Sequence, residues 1–167
     1  MKDDQPVYFL SFEELIKSTK ETSTKLDNLF KELLPFSDVE HVGSSSVPGA
    51  VGKLDLDFQI RVEEKDFEEA IKILKSHFKE KRKEFWKEGF AIFKTTKNNI
   101  PIDLVVTTKD SIYDDCYKVR DELRSNKNLL EEYNKLKMKY QGKPYSEYSK
   151  DKSDFLGENG NIRFLQK

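Results

Sequence analysis

The chain has one cysteine, Cys116, among 167 residues. A lone thiol cannot form a disulfide within the chain, which fits a reducing, cytoplasmic setting. Cys116 falls in the helical-looking pattern IYDDCYKV with neither histidine near it, and is expected to be a small half-buried residue. Long apolar runs are also missing. The opening stretch MKDDQPVYFLSFEELIK lacks the apolar core of a signal peptide, and no segment is long and apolar enough to span a membrane. Charge of one sign is not in excess, since Lys+Arg number 30 and Asp+Glu 31. Bulk charge therefore gives no case for nucleic acid or an anionic membrane as partner. No internal repeat or low-complexity linker divides the chain, so a single domain over 1–167 is expected. What is present is aromatic and charged. Phe (12) and Tyr (7) dominate an apolar fraction of 36%, enough for one packed core, and 37% of residues are ionised.

Residues 1–10 read as a mobile or loosely extended lead-in. Ser11 with Glu14 forms a capping-box signature, and Phe12, Leu15, Ile16, Leu26, Leu29, Phe30 and Leu33 keep helical spacing around a polar middle at 18–25. One helix to about Leu34, stopped by Pro35, is expected. Strands follow at 39–42 and 54–62, the second alternating Leu54, Leu56, Phe58, Ile60 and Val62 on one face. A helix is read at 66–78, a hairpin from 84–86 and 90–95, a turn at Asn98-Asn99, and a strand at 100–107. Pro101 suits the start of that strand or an edge position. Helices near 111–125, 127–141 and 144–156 precede a loop and tail at 157–167. The fold class is α+β: a small mixed β-sheet flanked by helices. Residues 10–110 would form the α/β core and 111–156 a helical C-terminal part.

Asp55 and Asp57 interrupt an apolar strand two residues apart, which places both carboxylates on one face. Such a pair is unfavourable unless a metal ion, a lysine or water lies against it. Asp103 sits in a later apolar strand between Ile102 and Leu104. Should the strands be neighbours, three carboxylates form an oxygen-rich site suited to Mg²⁺ (or Mn²⁺). Upstream, Gly43 lets backbone approach a phosphate, and the Ser44 hydroxyl can donate to it. Lys53 stands two residues before Asp55 and could neutralise a carboxylate or touch phosphate. Arg120 and Arg124 share a helical face. Tyr133 and Tyr148 suit core packing better than base stacking. His41 suits orienting the Gly-Ser turn, and His77 the surface.

The order G-S…D-x-D…D resembles the nucleotidyltransferase superfamily, whose fold is like that of DNA polymerase β. Within it, His41-Val42-Gly43-Ser44-Ser45-Ser46-Val47-Pro48-Gly49 with Lys53 and Asp57 resembles the GrpB family, whose members typically read E-H-I-G-S-T-A-V-P-G-L…K-P-x-I-D-I. Arg120-Asp121-Glu122-Leu123-Arg124 is similar to the family's F-R-D-Y-L-R, Tyr133 to Lys137 to Y-x-x-L-K, and Tyr148, Lys152 and Phe155 to Y-x-x-x-K-x-x-F. The resemblance covers roughly residues 10–156. Typical members carry an apolar residue at the position of Asp55, and often an H-x-H-like pattern around Asp103.

The resemblance implies a nucleotidyltransferase that moves an NMP group from a nucleoside triphosphate to an unknown acceptor. Asp55, Asp57 and Asp103 would be the catalytic metal-binding carboxylates. Gly43, Ser44, Lys53, Arg120, Lys137 and Lys152 would hold the nucleotide. The alternatives are a non-catalytic nucleotide-binding or regulatory member, and an interaction domain acting through the charged C-terminal helices.

Overall fold

The computed structural model describes residues 5–80, 83 and 86–160, with backbone alone at 79, 80 and 158–160. Helix α1 (Phe12–Leu33) starts on the expected capping box: Ser11 N–H donates to Glu14 Oε2 at 2.8 Å, and Glu14 N–H to Ser11 Oγ at 3.3 Å. It ends one residue ahead of the Leu34 cap and Pro35. The polar middle is not a solvated interruption. Thr19, Thr22 and Ser23 are buried, with Thr19 Oγ1 donating to the Leu15 carbonyl and Thr22 Oγ1 accepting from Asn98 Nδ2.

Five strands form one sheet in the order β1-β2-β5-β4-β3: β1 (Asp38–Val42), β2 (Leu56–Val62), β3 (Lys79–Glu80), β4 (Phe90–Lys97) and β5 (Ile100–Thr108). The sheet is mixed as expected, since β2 and β5 run parallel and the other neighbours antiparallel. Helix α2 (Phe67–His77) provides the crossover side of the parallel pair. Asn98 and Asn99 both take positive φ, as a tight hairpin turn between β4 and β5 demands. Pro101 lies near the start of β5, which is a central strand. It faces Thr96 of β4, and the β2 ladder begins only at Ile102, so its missing N–H interrupts no bond to β2.

One sheet face carries Leu56, Phe58, Ile60, Val62, Phe93, Ile102, Leu104 and Val106 into a core closed by Leu26, Phe30 and Leu34 of α1 and by Ala70, Ile71 and Leu74 of α2. Leu54 does not join that face. Asp55 N–H bonds to the Lys53 carbonyl at 2.9 Å, a γ-turn that breaks the alternation, and Leu54 is 39% exposed. Strand β2 therefore begins at Leu56, and Asp55 stands just ahead of it.

Helices α3 (Cys116–Ser125), α4 (Lys127–Lys139) and α5 (Tyr145–Gly160) form the C-terminal part. Helix α3 starts later than 111 because Asp114 is used elsewhere. Its buried carboxylate grips Arg61 through two bonds of 2.7 Å, accepts from Gln59 and Thr107, and also caps Asp110 N–H. Gln59 in turn accepts from Tyr117 N–H at 2.9 Å, which pins α3 to the second sheet face. Asn126 caps α4 through Leu129 N–H. Helix α5 continues through Gly157 to Gly160, past the expected loop boundary; the rest of the expected tail, 161–167, lies outside the described residues, as do 84 and 85 of the expected hairpin strand.

The lead-in is extended but not loose between Gln5 and Leu10. Val7 and Phe9 are buried against Tyr140 and Tyr148. Val7 N–H donates to Lys143 O, Gly142 N–H to Val7 O, and Leu10 exchanges two backbone bonds with Gly52. This strap ties the α4–α5 connection to the loop before β2.

Candidate active site

The parallel register pairs Asp57 of β2 with Asp103 of β5, so both carboxylates leave the second sheet face side by side. They line a cavity of about 580 Å³ between the sheet and the C-terminal helices. Every residue expected at the site lines it: Gly43, Ser44, Lys53, Asp55, Asp57, Asp103, Arg120, Lys137 and Lys152.

Gly43 follows β1 with φ of +71°, a left-handed conformation that favours glycine. A Cβ there would collide with Asp57 Oδ2 and stand 2.8 Å from its Cγ, so the Asp57 carboxylate rests directly on the glycine. The turn continues as a short 3₁₀ segment (Ser44–Ser46). His41 orients it as expected. Its Nε2 pairs with Ser45 Oγ at 3.0 Å, its Nδ1 faces Ser23 Oγ at 3.4 Å, and its ring stacks on Phe58. Burial, with Arg124 and Arg120 nearby, pushes its pKa down to about 4, so the ring is neutral at physiological pH.

The Asp57 carboxyl is pushed up to about 7, first by burial and then by the charges of Asp55 and Asp103, against the pull of Lys53 and Lys152. Among the described residues no donor is hydrogen-bonded to it. Such a carboxyl lacks a compensating donor, and a bound cation would supply one. The three acids do not close into a ready triad, however. Asp55 is held by Lys53 Nζ at 2.6 Å, and among the described residues no three His, Cys, Asp or Glu side chains stand at metal-holding spacing. Asp103 faces Lys94 Nζ at 3.8 Å. The donor chemistry suits a hard divalent ion, with Asp57 and Asp103 as the adjacent pair and Lys53 occupying the third arm.

The basic residues divide by what they touch. Lys137 is buried, and its Nζ donates to Ser44 Oγ and to the Val51 carbonyl, each at 2.6 Å, while lying 3.9 Å from the Tyr133 ring centre. Burial and then Lys152 drive its pKa well below the usual amine value. Lys137 is thus a strut that fixes the Gly-Ser turn. Arg120 bonds Glu40 at 2.7 Å, the His41 carbonyl and Asp121, so its guanidinium joins α3 to β1. Arg124 makes two bonds to the Ser46 carbonyl. Lys53 loses stability as an ion through burial but gains more from Asp55, and its pKa is raised. Lys152 is kept charged by the Tyr133 oxygen first, against burial, and then by Tyr148, Tyr145 and Asp57. Lys53 and Lys152 are the cations best placed to meet a ligand.

Tyr133 and Tyr148 are core residues, as expected, and also form cavity wall. Sequence reasoning missed Tyr145, whose ring lies 5.4 Å from Lys53 Nζ, and the wall built by Phe90, Ile92, Val105, Ile112 and Tyr113. The strand alternation that places Asp103 on one face also places Val105 there, and would have found it. Cys116 sits on the cavity, its thiol pushed up to about 12 by burial and by Asp57.

The GrpB protein family model matches residues 11–159. A UPF0157 protein of Vibrio cholerae serotype O1 is 31% identical over 144 residues, covering 81% of this chain and 76% of that protein. The crystal structure of the conserved protein GrpB from Enterococcus faecalis superposes with a TM-score of 0.59 at 18% identity, covering 95% of this chain and 94% of that one. Cid1, in complex with the UTP analog UMPNPP, shows a slighter likeness: TM-score 0.47, 14% identity, 75% of this chain and 38% of that one. With the motif residues gathered on one cavity and the family model spanning nearly the whole fold, the chain belongs to the GrpB family.

Proposed function

We propose that this protein is a cytoplasmic nucleotidyltransferase that moves an NMP group from a nucleoside triphosphate to an acceptor hydroxyl. One observation carries the reading. A half-buried, proton-prone Asp57 sits on Gly43 beside Asp103, with Lys53 and Lys152 facing it across the same cavity. Acids on the floor and amines on the wall match a metal-bound polyphosphate, in which cation and anion arrive together. The superfamily resemblance of the G-S…D-x-D…D order supports the same chemistry.

In this reading Asp57 and Asp103 would hold Mg²⁺, and Asp55 would be available to it once Lys53 pairs with phosphate instead. The ion would neutralise charge on the phosphate oxygens and lower the pKa of a bound acceptor hydroxyl. The Ser44 hydroxyl and the backbone of the turn, braced by Lys137, bind the β- and γ-phosphates. The acceptor oxygen bonds to the α-phosphorus as the bond to the β-phosphate oxygen breaks. Pyrophosphate leaves with that electron pair, and Asp103 takes the acceptor proton.

A second reading, a nucleotide-binding or regulatory module without turnover, is favoured by the Lys53–Asp55 pair, which fills the third carboxylate arm. Incubation with each α-labelled NTP, Mg²⁺ or Mn²⁺ and a cell extract as acceptor pool separates the two. Labelled product that disappears in Asp57→Asn supports transfer. Nucleotide binding without product supports the second reading, and no binding of either kind refutes both.

A further inference from the structure

The cavity has two unlike halves, with the carboxylates between them. Helices α4 and α5 supply Lys137 and Lys152 to one half, together with Lys53. The opposite half is the second, cavity-side face of β4 and β5. There the ladder runs in rows: Asp57–Asp103–Lys94, then Gln59–Val105–Ile92, then Arg61–Thr107–Phe90. Successive rows are about 7 Å apart. Gln59, Thr107 and Arg61 are bonded to Asp114, so their polar groups are engaged. What the second and third rows offer the cavity is therefore Val105, Ile92 and Phe90. Tyr113 lies 5.0 Å from Phe90, ring centre to ring centre, and Ile112, 63% exposed, forms the rim.

In-line displacement at phosphorus puts the acceptor opposite the departing pyrophosphate. With the polyphosphate on the lysine half, the acceptor must come from the β4–β5 half. We propose that this half is an acceptor subsite for a small molecule bearing a hydroxyl on a compact apolar ring, such as a phenol or an alicyclic alcohol. It rests on the nucleotidyltransferase reading for the word acceptor, but not for the binding. A nucleic acid end would need a track of cations along its phosphates. Among the described residues the cations beside this half are Lys94, 3.8 Å from Asp103, Lys87, over the Tyr113 ring at 5.9 Å, and Arg61, held by Asp114, and the chain carries a net charge of −1. The bond made is acceptor oxygen to α-phosphorus, the bond broken is α-phosphorus to the bridging oxygen, and the acceptor proton passes to Asp103.

Saturation-transfer NMR of the whole chain with 4-propylphenol and cyclohexylmethanol as probes, without nucleotide, tests the subsite. Both should bind. Ile112→Lys at the exposed rim and Val105→Asp on the wall should each weaken binding about tenfold or more, with NTP affinity and melting temperature of Ile112→Lys unchanged. Probes that fail to bind, or that bind Ile112→Lys and Val105→Asp as they bind the wild type, overturn the subsite. In a transfer assay with NTP and Mg²⁺, phenol should be modified and a short RNA with a free 3′-hydroxyl should not; the reverse also overturns it. Loss of NTP binding or turnover with the probes still bound would sink the transferase reading and leave the apolar site standing.

Discussion

Replacing Asp57 by Asn should make the protein more stable at pH 8 and less stable nowhere above pH 4. Asparagine copies the shape of the neutral acid. The carboxyl is pushed from an ordinary 3.8 up to about 7, so the folded protein holds a proton there that the unfolded chain releases. With more protons bound in the native state, stability falls as pH rises from about 4 to about 7 and stays reduced above. Three units at about 1.36 kcal/mol each give a ceiling of about 4 kcal/mol. Asp57 is only half-buried and opens onto the cavity, where solvent screens it, so about 2 kcal/mol is the working figure. For a chain of this size that is about 4–8 °C in melting temperature. Calorimetry of wild type and variant across pH 4–8 measures it directly. His41, pushed down to about 4, acts in the opposite direction between pH 4 and 6.5, but it is common to both proteins and cancels in the difference. The gain from Asn should vanish near pH 4, and Mg²⁺ should raise the melting point of the wild type alone. A variant that is equally or less stable at pH 8 would refute the idea that the half-buried carboxylate is under strain.

Gly43→Ala combines a left-handed φ with a clash against Asp57, so urea unfolding should show a loss of at least about 1–2 kcal/mol, and Mg²⁺-dependent nucleotide binding should disappear. Lys137→Met removes a buried amine with little change of volume. Stability should move by less than about 1 kcal/mol by thermal melting, because the lost desolvation offsets the lost bonds, while NTP affinity drops as Ser44 and the Val51 carbonyl lose their brace. Asp114→Ala leaves Arg61 and Gln59 without their buried acceptor and should cost about 3–5 kcal/mol in urea unfolding.

The fold was readable where one rule acted alone. The capping box, Pro35 and the Asn98-Asn99 turn each set a boundary by local geometry, and the boundaries hold. It was not readable where a distant partner overruled periodicity. Thr19 and Thr22 look solvated in sequence but are buried, because the helix bonds them internally and to Asn98. Leu54 follows the strand alternation, yet a γ-turn throws it outward. At the site, Gly43, Asp57 and Asp103 were legible from residue type and order. The division of labour among the basic residues was not. Nothing local says that Arg120 faces Glu40, or that Lys137 holds Ser44 across more than ninety positions of chain.

The strap at Gln5–Leu10 sets the order in which the cavity can be completed during synthesis. Its partners at Gly142, Lys143 and Tyr145 emerge long after it, so Val7 and Phe9 must wait for them. Strands β2 and β5, with Asp57 and Asp103, are made well before Lys137 and Lys152 arrive. A nascent chain thus displays its acids with Lys53 but without Lys137 and Lys152, and only closure of the strap by α4 and α5 turns an acidic sheet face into a two-sided vessel.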